Sequence, residues 1–308
     1  MADGGADGGS DSGSGAAGGA FLEAEIASQP DCWRRAAALA GELRELLPPG
    51  RIALAGCGTS FYVAQSAAAL WEAAGLGEAD AFAASEMPAG RSYDTVAVVS
   101  RSGTTTEVAD LLHRLGDVRT LAVVGDAAGP VARRATRHLV LGFADERSVV
   151  QTRFATSVVA LFRALAGDDV GPAAAAAEAA LGRPGPAPVE ADRFVFLGTG
   201  AAVGLAHEAA LKLREAALTV TESYPAMEYR HGPIAIAGPG VVVWVLGTPP
   251  AGLVDDVRRT GATVVDDDLD PLADLVRVQA TALARARARG LDPDHPRHLT
   301  RAVHLPGG

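Results

Sequence analysis

The chain has 308 residues, 48% of them hydrophobic and 21% charged, which is typical of a globular protein long enough for two domains. Its formal net charge of −10 argues against nucleic acid as a partner, because phosphate backbones are bound by basic surfaces. No apolar run reaches the roughly 18 residues that cross a membrane, and the N-terminus lacks signal-peptide features, so we expect a cytoplasmic protein without a membrane partner.

The chain changes character at about residue 20. Residues 1–20 are almost entirely Gly, Ala, Ser and Asp, and we predict a disordered tail there because they bury too little apolar surface to order themselves. Residues 21–47 carry apolar side chains near helical spacing and are predicted to be helical. Pro48-Pro49-Gly50 ends that segment.

Short apolar segments then alternate with longer helical stretches, as far as a closing helix predicted over 148–165. Strands are predicted at Arg51–Ala55, Ala79–Ala84, Thr95–Val99, Thr120–Val124 and His138–Leu141. This alternation is typical of a parallel sheet that helices cover on both faces. We therefore assign residues 21–166 to a first domain.

An alanine-rich stretch over 167–190, with Pro and Gly near both ends, predicts a helix and a linker. The alternation resumes over 191–308. Strands are predicted there at Arg193–Leu197, Leu218–Thr221, Val241–Leu246 and Thr263–Val265, with helices over Gly204–Ala217 and Pro271–Arg289. The predicted fold class is α/β, with two tandem α-β-α sandwich domains whose sheets are mainly parallel.

A repeated spacing supports the two domains. Glu86 lies 28 residues after Gly58, and Glu228 lies 28 residues after Gly200. Each glutamate follows the second predicted strand of its half. The equal distances favour two copies of one domain over a single long sheet.

Two hydroxyl-rich segments follow predicted strands of the first half. They are Gly56-Cys57-Gly58-Thr59-Ser60 and Ser100-Arg101-Ser102-Gly103-Thr104-Thr105-Thr106-Glu107. Strand ends and helix N-termini favour anions, so together the segments predict a phosphate site, although either alone is also explained by helix capping. A dinucleotide site is disfavoured because Phe61 replaces the third glycine of the nucleotide fingerprint, and no cofactor is predicted.

A third segment places charged side chains on one face of a predicted helix. Glu208, Lys212 and Glu215 follow one another at helical spacing, and Lys212 is the only lysine among the 27 basic residues. A solvated surface stripe is the ordinary alternative. Flanking Ala and Leu residues favour burial instead. A buried ammonium would bind an anionic substrate and hold both carboxylates ionised, with Glu215 available as a base.

His231 precedes Gly-Pro in the segment Glu228-Tyr229-Arg230-His231-Gly232-Pro233, which places it in a turn. Histidine exchanges protons near neutral pH, so His231 is a candidate acid or base, with a purely structural role as the alternative. Cys32 and Cys57 show no metal-ligand spacing, and the other histidines form no metal pattern. No metal is predicted.

The four segments together resemble the sugar isomerase (SIS) domain family. They are similar, in the same order, to the tandem SIS domains that form the isomerase half of glutamine–fructose-6-phosphate aminotransferase, and to related amino-sugar-phosphate deaminase/isomerases. The resemblance covers about residues 25–305. It implies SIS-type sandwich domains, a sugar phosphate as the bound small molecule and a homodimer.

The resemblance also implies roles for matching positions. The phosphosugar-binding positions are Gly58, Thr59, Ser60, Ser100, Arg101, Ser102 and Thr105, and Val149 and Gln151 match a segment that lines the same pocket. Glu215 matches the carboxylate that moves a proton between C1 and C2, and Glu208 and Lys212 match its neighbours near the sugar. His231 matches a ring-opening histidine that reaches across a dimer interface in the family.

Two departures from the family affect the expected chemistry. The aminotransferase carries a glutaminase whose nucleophile is a cysteine after the initiator Met; here residue 2 is Ala, and no glutaminase activity is expected of this chain. The family's tail has a lysine that forms a Schiff base with the ketose, whereas Arg301 occupies that position. A guanidinium does not form that imine, so we expect non-covalent acid–base chemistry.

The sequence therefore predicts an enzyme, either a phosphosugar isomerase or an amino-sugar-phosphate deaminase/isomerase. Two alternatives stay open. One is a non-catalytic sugar-phosphate-binding regulator, which suits the missing tail lysine. The other is a synthase subunit that takes ammonia from a separate glutaminase. The carboxylates and His231 favour an enzyme over a regulator, because a sensor has no use for a proton shuttle.

Overall fold

The computed structural model describes residues 18–181, 183, 185 and 187–305. Most of the predicted tail over 1–20 therefore lies outside the described residues, and the first helix begins at Ala20. Part of the predicted linker over 167–190 also lies outside them, after a helix that ends at Leu181.

The described chain contains eleven α-helices and nine strands. The helices are α1 Ala20–Ala27, α2 Gln29–Ala37, α3 Ala40–Leu46, α4 Thr59–Ala73, α5 Thr106–Leu115, α6 Pro130–Arg134, α7 Arg153–Leu165, α8 Gly171–Leu181, α9 Ala202–Ala217, α10 Leu253–Arg258 and α11 Pro271–Ala288. The strands are β1 Ile52–Gly56, β2 Ala79–Ala83, β3 Thr95–Ser100, β4 Thr120–Val124, β5 Arg137–Val140, β6 Arg193–Gly198, β7 Thr221–Pro225, β8 Val241–Leu246 and β9 Thr263–Val265.

These strands form two parallel sheets with the same order of strands. The five-stranded sheet runs β2-β1-β3-β4-β5, and the four-stranded sheet runs β7-β6-β8-β9. All described pairings are parallel, which confirms the prediction of parallel sheets in an α/β fold. In each sheet the order reverses between the first and third strands, where a crevice opens at the carboxyl ends.

Side chains that alternate along the strands divide the apolar interior into layers. Ile52 and Leu54 of β1 join a central cluster that also contains Phe194 and Phe196 of β6. The β1 residues that alternate with Ile52 and Leu54 belong to a second cluster, on the opposite face of the first sheet. The β6 residues that alternate with Phe194 and Phe196 belong to a third cluster, on the opposite face of the second sheet. One core therefore lies between the sheets, and helices cover both faces of each.

Helices α4 and α9 pack against each other without intervening side chains at one point. A Cβ added at Gly204 of α9 would lie 2.3 Å from the Tyr62 carbonyl oxygen and 2.4 Å from Ser66 Oγ of α4. Ser66 Oγ also donates a 2.8 Å hydrogen bond to the Ala201 carbonyl. This contact joins the helix after β1 to the helix after β6.

Three predicted elements differ from the structure. The segment predicted as one helical stretch over 21–47 is three short helices, α1 to α3. The strand predicted at Leu218–Thr221 begins at Thr221, because Leu218 takes a left-handed conformation that ends α9. The helix predicted over 148–165 begins only at Arg153, because the preceding residues form a loop held by buried carboxylates, described below.

Within the ranges that the structure describes, none of the helices combines the length and the apolar character that crossing a bilayer requires.

Replacing Gly204 with Ala should destabilise the protein, because the new methyl group has no space between α4 and α9. We expect the free energy of unfolding to fall by about 1–3 kcal/mol, as for other overpacked sites. Urea denaturation measures the change. Gly41→Ala is the matched control: it lies in α3 with nothing within 4 Å of the added Cβ, and should leave stability unchanged or slightly higher. Equal effects of the two substitutions would contradict the close contact.

Candidate active site

A glycine turn carries the chain from β1 into α4. Gly58 has φ 53°, a left-handed conformation that favours glycine, and a Cβ at Gly56 would lie 2.6 Å from the Ser60 backbone carbon. The turn therefore brings the start of α4 against the end of β1. Thr59 and Ser60 are both buried there, at the carboxyl end of the sheet.

The second hydroxyl-rich segment lies at the end of β3, the neighbour of β1 in the sheet. Ser100 Oγ lies 3.5 Å from Thr105 Oγ1. Ser102 Oγ accepts hydrogen bonds from the Thr104 amide and hydroxyl. The loop thus folds back on itself before α5 begins at Thr106. The structure brings the two hydroxyl-rich segments predicted from the sequence to one edge of one sheet.

Helix α9 brings the predicted carboxylates and the lysine to this edge. Lys212 Nζ lies 3.3 Å from Glu208 Oε1 and 2.6 Å from Glu215 Oε2, and it donates a 3.1 Å hydrogen bond to Thr59 Oγ1. The side chains of Glu208 and Lys212 are 1% and 2% exposed, whereas Glu215 is 18% exposed. The expectation of burial is confirmed, and Glu215 is the carboxylate of this cluster that solvent or a ligand reaches.

Burial and charge act in opposite directions on this cluster. Burial raises the pKa of Glu208 to about 7, although the Lys212 ammonium pulls it down. Burial by itself would lower the pKa of Lys212, but Glu208 and Glu215 together hold it above its ordinary value. With its pKa at about 7, Glu208 is only partly ionised near neutral pH, less fully than the sequence predicts. The ammonium stays charged, and its short bond is to Glu215.

The segment that contains Val149 and Gln151 is a loop fixed by two buried carboxylates. Glu146 accepts hydrogen bonds from the Thr152 amide (2.5 Å), the Thr152 hydroxyl (2.7 Å) and the Arg153 amide (2.9 Å). These bonds satisfy the first amides of α7, so the helix starts there and not at residue 148. Burial raises the pKa of Glu146.

Glu25 of α1 holds the other end of that loop. It accepts hydrogen bonds from the Arg147 amide at 2.5 Å and from both the amide and the hydroxyl of Ser148. Sequence reasoning missed this residue. A glutamate in a short helix looks like a solvent-facing residue even among apolar neighbours, and no local signal indicates that it is buried against residues more than a hundred positions away.

Arg101 links the loop to the C-terminal segment. Its Nη1 donates to the Ser148 carbonyl at 2.8 Å and its Nη2 to the Arg301 carbonyl at 2.9 Å. Burial lowers the pKa of the guanidinium. Arg301 in turn donates at 2.6 Å to the Glu146 carbonyl and to both carboxylate oxygens of Asp145. These hydrogen bonds therefore hold the C-terminal segment against the edge of the first sheet. Two of the three Arg101 side-chain nitrogens already donate hydrogen bonds within the chain.

Several buried polar atoms around this edge have no hydrogen-bond partner among the described residues. They include Arg101 Nε, Gln151 Oε1 and Glu107 Oε2, and neither Glu208 oxygen makes a hydrogen bond of good geometry. Unpaired buried polar atoms cost free energy, and native structures keep few of them. Their concentration beside the hydroxyl-rich segments indicates a place where a polar ligand completes the bonding.

His231 lies on the connection that follows β7. It is exposed and follows a short 3-10 turn at Glu228–Arg230. Its neighbour Arg230 anchors the turn to Asp256 at 2.7 Å and to the Ala251 carbonyl. Within the described part of the chain, no hydrogen bond joins His231 to Lys212 or Glu215. Of the four predicted catalytic residues, His231 is the one with neither a hydrogen bond nor an ion pair to the others among the described residues.

Comparison with known proteins gives the following relatives. No family model matches the chain. It is 27% identical to a glutamine–fructose-6-phosphate aminotransferase (isomerizing) of Methanothermobacter thermautotrophicus, over 92% of this chain and 57% of the relative. It is 35% identical to the Thermosynechococcus vestitus enzyme of that name, over 37% of this chain and 23% of the relative. The chain thus spans little more than half the length of the curated relatives that it matches.

Solved structures show the same fold. The glucosamine-6-phosphate deaminase of Thermotoga maritima has a TM-score of 0.75 at 24% identity, covering 92% of this chain and 100% of its own. The tagatose-6-phosphate ketose/aldose isomerase of Escherichia coli also has a TM-score of 0.75, at 20% identity, covering 90% and 95%. The C-terminal domain of the Francisella tularensis glucosamine-fructose-6-phosphate aminotransferase matches at 0.75 and 17% identity, covering 89% and 98%.

The resemblance to the sugar isomerase family is confirmed. The matches to the aminotransferases and to these folds agree with the family that the four sequence segments indicate. No group of three or more His, Cys, Asp or Glu residues suited to a metal ion occurs among the residues that the structure describes.

Replacing Glu208 with Gln should change how stability depends on pH. The pKa of Glu208 is raised to about 7 in the folded protein, so the folded state holds its proton where the unfolded state releases it. Its contribution to stability is complete below about pH 4.5 and is lost as pH rises to about 7. We expect the wild type to lose stability relative to Glu208→Gln over that range, with a maximum slope of about 1.4 kcal/mol per pH unit.

Urea denaturation at several pH values measures the difference. Glu42→Gln, an exposed position on α3, serves as the control and should follow the wild type at every pH. A constant difference between the wild type and Glu208→Gln from pH 4.5 to 7 would show that Glu208 titrates alike in both states.

Proposed function

We propose that the chain is a phosphosugar isomerase or an amino-sugar-phosphate deaminase that moves a proton between C1 and C2. One observation carries the proposal: the contact of Lys212 Nζ with Thr59 Oγ1 and with Glu215 Oε2 places a half-buried carboxylate beside a hydroxyl-lined strand edge. An anion-binding edge and a base within reach of it are what proton transfer on a bound sugar phosphate requires.

The phosphate of the substrate is assigned to the ends of β1 and β3. The amides at the start of α4 and the hydroxyls of Thr59, Ser60, Ser100 and Thr105 supply donors there. A doubly charged phosphate gains most from donors that are fixed in advance. Three of these hydroxyl-bearing residues are buried and Thr105 is half-buried. Arg101 is assigned a smaller part, with Nε as its free donor.

Glu215 is assigned the proton transfer. In an open-chain aldose it removes the hydrogen on C2, the carbonyl shifts from C1 to C2 through an enediol, and the proton returns to C1. In a 2-amino sugar the same transfer gives an imine at C2, which water hydrolyses to a ketose and ammonia. The Lys212 ammonium would stabilise the negative charge that develops on the sugar oxygen, at the position where it already contacts Thr59 and Glu215.

His231 is assigned to ring opening in a neighbouring copy of the chain. It is exposed on a turn, and Met227 and Ile236 of the same connection expose 50% and 39% of their surface. An apolar patch around an exposed histidine is suited to a contact between two copies. A homodimer of this kind would complete each site with a histidine from the other chain.

One observation favours the alternative of a sugar-phosphate-binding regulator. Arg301 occupies the position of the family's tail lysine and is fully engaged with Asp145 and the Glu146 carbonyl. The tail therefore presents no amine to a ketose. A protein that only senses the sugar phosphate would keep the phosphate-binding edge and would show no exchange at C1 or C2.

Deuterium exchange tests the proposed reaction. We expect the protein to exchange the C1 or C2 hydrogen of fructose-6-phosphate, tagatose-6-phosphate, glucosamine-6-phosphate or galactosamine-6-phosphate with D₂O, followed by NMR. Glu215→Gln should lower the rate by about 10²–10⁴-fold, the usual contribution of a general base, while binding of the sugar phosphate persists.

Glu45→Gln, an exposed carboxylate on α3, is the control and should exchange like the wild type. Tight binding of a sugar phosphate with no exchange on any of the four would favour the regulator. Exchange that Glu215→Gln leaves intact would remove Glu215 from the mechanism.

Mixing two inactive variants tests the shared site. Glu215→Gln keeps His231, and His231→Ala keeps Glu215, so a mixed dimer regains one complete site if the histidine comes from the other chain. After unfolding and refolding an equal mixture, we expect about one quarter of wild-type exchange activity, because half of the dimers are mixed and each has one working site. Activity no higher than that of the two variants alone would place His231 outside the partner's site.

A further inference from the structure

One cavity among the described residues lies outside the proposed active site. It has a volume of about 530 Å³ and opens at the carboxyl ends of the second sheet, between β6 and β8. Thr199 and Ala201 line it from the turn after β6, and Gly247 and Thr248 line it from the turn after β8. Its size is within the range of small-molecule sites, and it lies where the strand order reverses.

The internal repeat makes this cavity the counterpart of the proposed active site. The turn after β6 copies the turn after β1: Gly200 has φ 58° where Gly58 has 53°, and a Cβ at Gly198 would meet the Ala202 backbone as one at Gly56 meets Ser60. The residues that correspond lie 142 positions apart in the sequence. That offset relates Lys212 of α9 to Leu70 of α4, and Leu70 lines the cavity.

The counterpart has lost the groups that the first site uses. Leu70 stands at the position that corresponds to Lys212, and Ala73 stands at the position that corresponds to Glu215. The turn after β8 reads Gly247-Thr248-Pro249-Pro250, which lacks the run of hydroxyls after β3 and has two prolines without amide hydrogens. The groups proposed for proton transfer and for a phosphate cradle are therefore absent from this crevice.

The charged groups of the crevice favour a cation. Arg163 of α7 is its one basic lining residue, and its guanidinium is already paired with Asp270 at 2.9 Å and with Asp168 at 3.1 Å. Asp268 also lines the cavity, is exposed, and forms no ion pair with any described residue. Three carboxylates and one guanidinium leave the crevice negatively charged, opposite to what a phosphate requires.

We propose that this crevice is a second, non-catalytic binding site for a small unphosphorylated amino sugar. Its ammonium would lie near Asp268, its hydroxyls within reach of Thr199 and Thr248, and its ring against the apolar wall that includes Leu70. Ligand pockets commonly combine such an apolar wall with a few polar groups that fix orientation. This inference does not rest on the function proposed for the first site.

Calorimetric titration with glucosamine tests the site. We expect saturable binding to the wild type and weaker binding of N-acetylglucosamine, which has the same ring but no positive charge. Leu70→Trp, which places a large ring in the crevice, should weaken glucosamine binding at least about tenfold. Asp268→Asn should weaken it about two- to fivefold, the usual size for an exposed ion pair, and should not disturb the fold because asparagine tolerates the φ of 51° at this position.

Ser100→Ala, at the first site, is the matched control and should leave glucosamine binding unchanged. Loss of glucosamine binding in Ser100→Ala with full binding in Leu70→Trp and Asp268→Asn would mean that the amine occupies the first site, and would overturn the proposal. Absence of saturable binding to the wild type would overturn it as well. Hydrogen exchange on a sugar phosphate, measured on the same Leu70→Trp protein, reports separately on the first site and should be unaffected.

Discussion

The buried ammonium of Lys212 connects the two halves of the molecule at the proposed site. It lies on a helix of the second half, donates to Thr59 at the start of a helix of the first half, and contacts two carboxylates of its own helix. A buried charge is costly unless it is paired, so this arrangement requires that all its partners stay in place. A wide guanidinium would not fit among three oxygens at these distances, which gives a physical reason for a lysine in a chain that otherwise uses arginine.

The same constraint explains the packing around the site. Gly204 lets α9 approach α4 closely enough for Lys212 to reach Thr59. The short turn at Gly58 brings Thr59 to the end of β1, and Glu25 and Glu146 hold the opposite loop in position. The crevice at the second sheet is the corresponding place in the other half of the chain, and it lacks these charges. It has the same glycine turn, but a leucine stands in the position of the lysine.

Much of the fold was predictable because it depends on local patterns. Short apolar strands with glycine turns identified both sheets, and most strand bounds agree to within one or two residues. The failures have long-range causes. Leu218 ends α9 in a left-handed conformation that propensity does not favour, and residues 148–152 form a loop because Glu25 and Glu146 bind their amides.

The helical spacing of Glu208, Lys212 and Glu215 predicted their shared face, whereas the part played by Glu25 depends on tertiary contacts that no sequence pattern shows. The role assigned to His231 rests on a proposed second chain, which no pattern in the sequence shows.

A crystal structure of Glu215→Gln with bound fructose-6-phosphate would test the central claim most directly. The account predicts the phosphate on the hydroxyls of Thr59, Ser60, Ser100 and Thr105, with C1 and C2 of the sugar about 3–3.5 Å from the side chain at position 215. It also predicts that Lys212 keeps its contact with Thr59. A phosphate bound elsewhere, or a sugar whose C1 and C2 lie beyond reach of position 215, would contradict it.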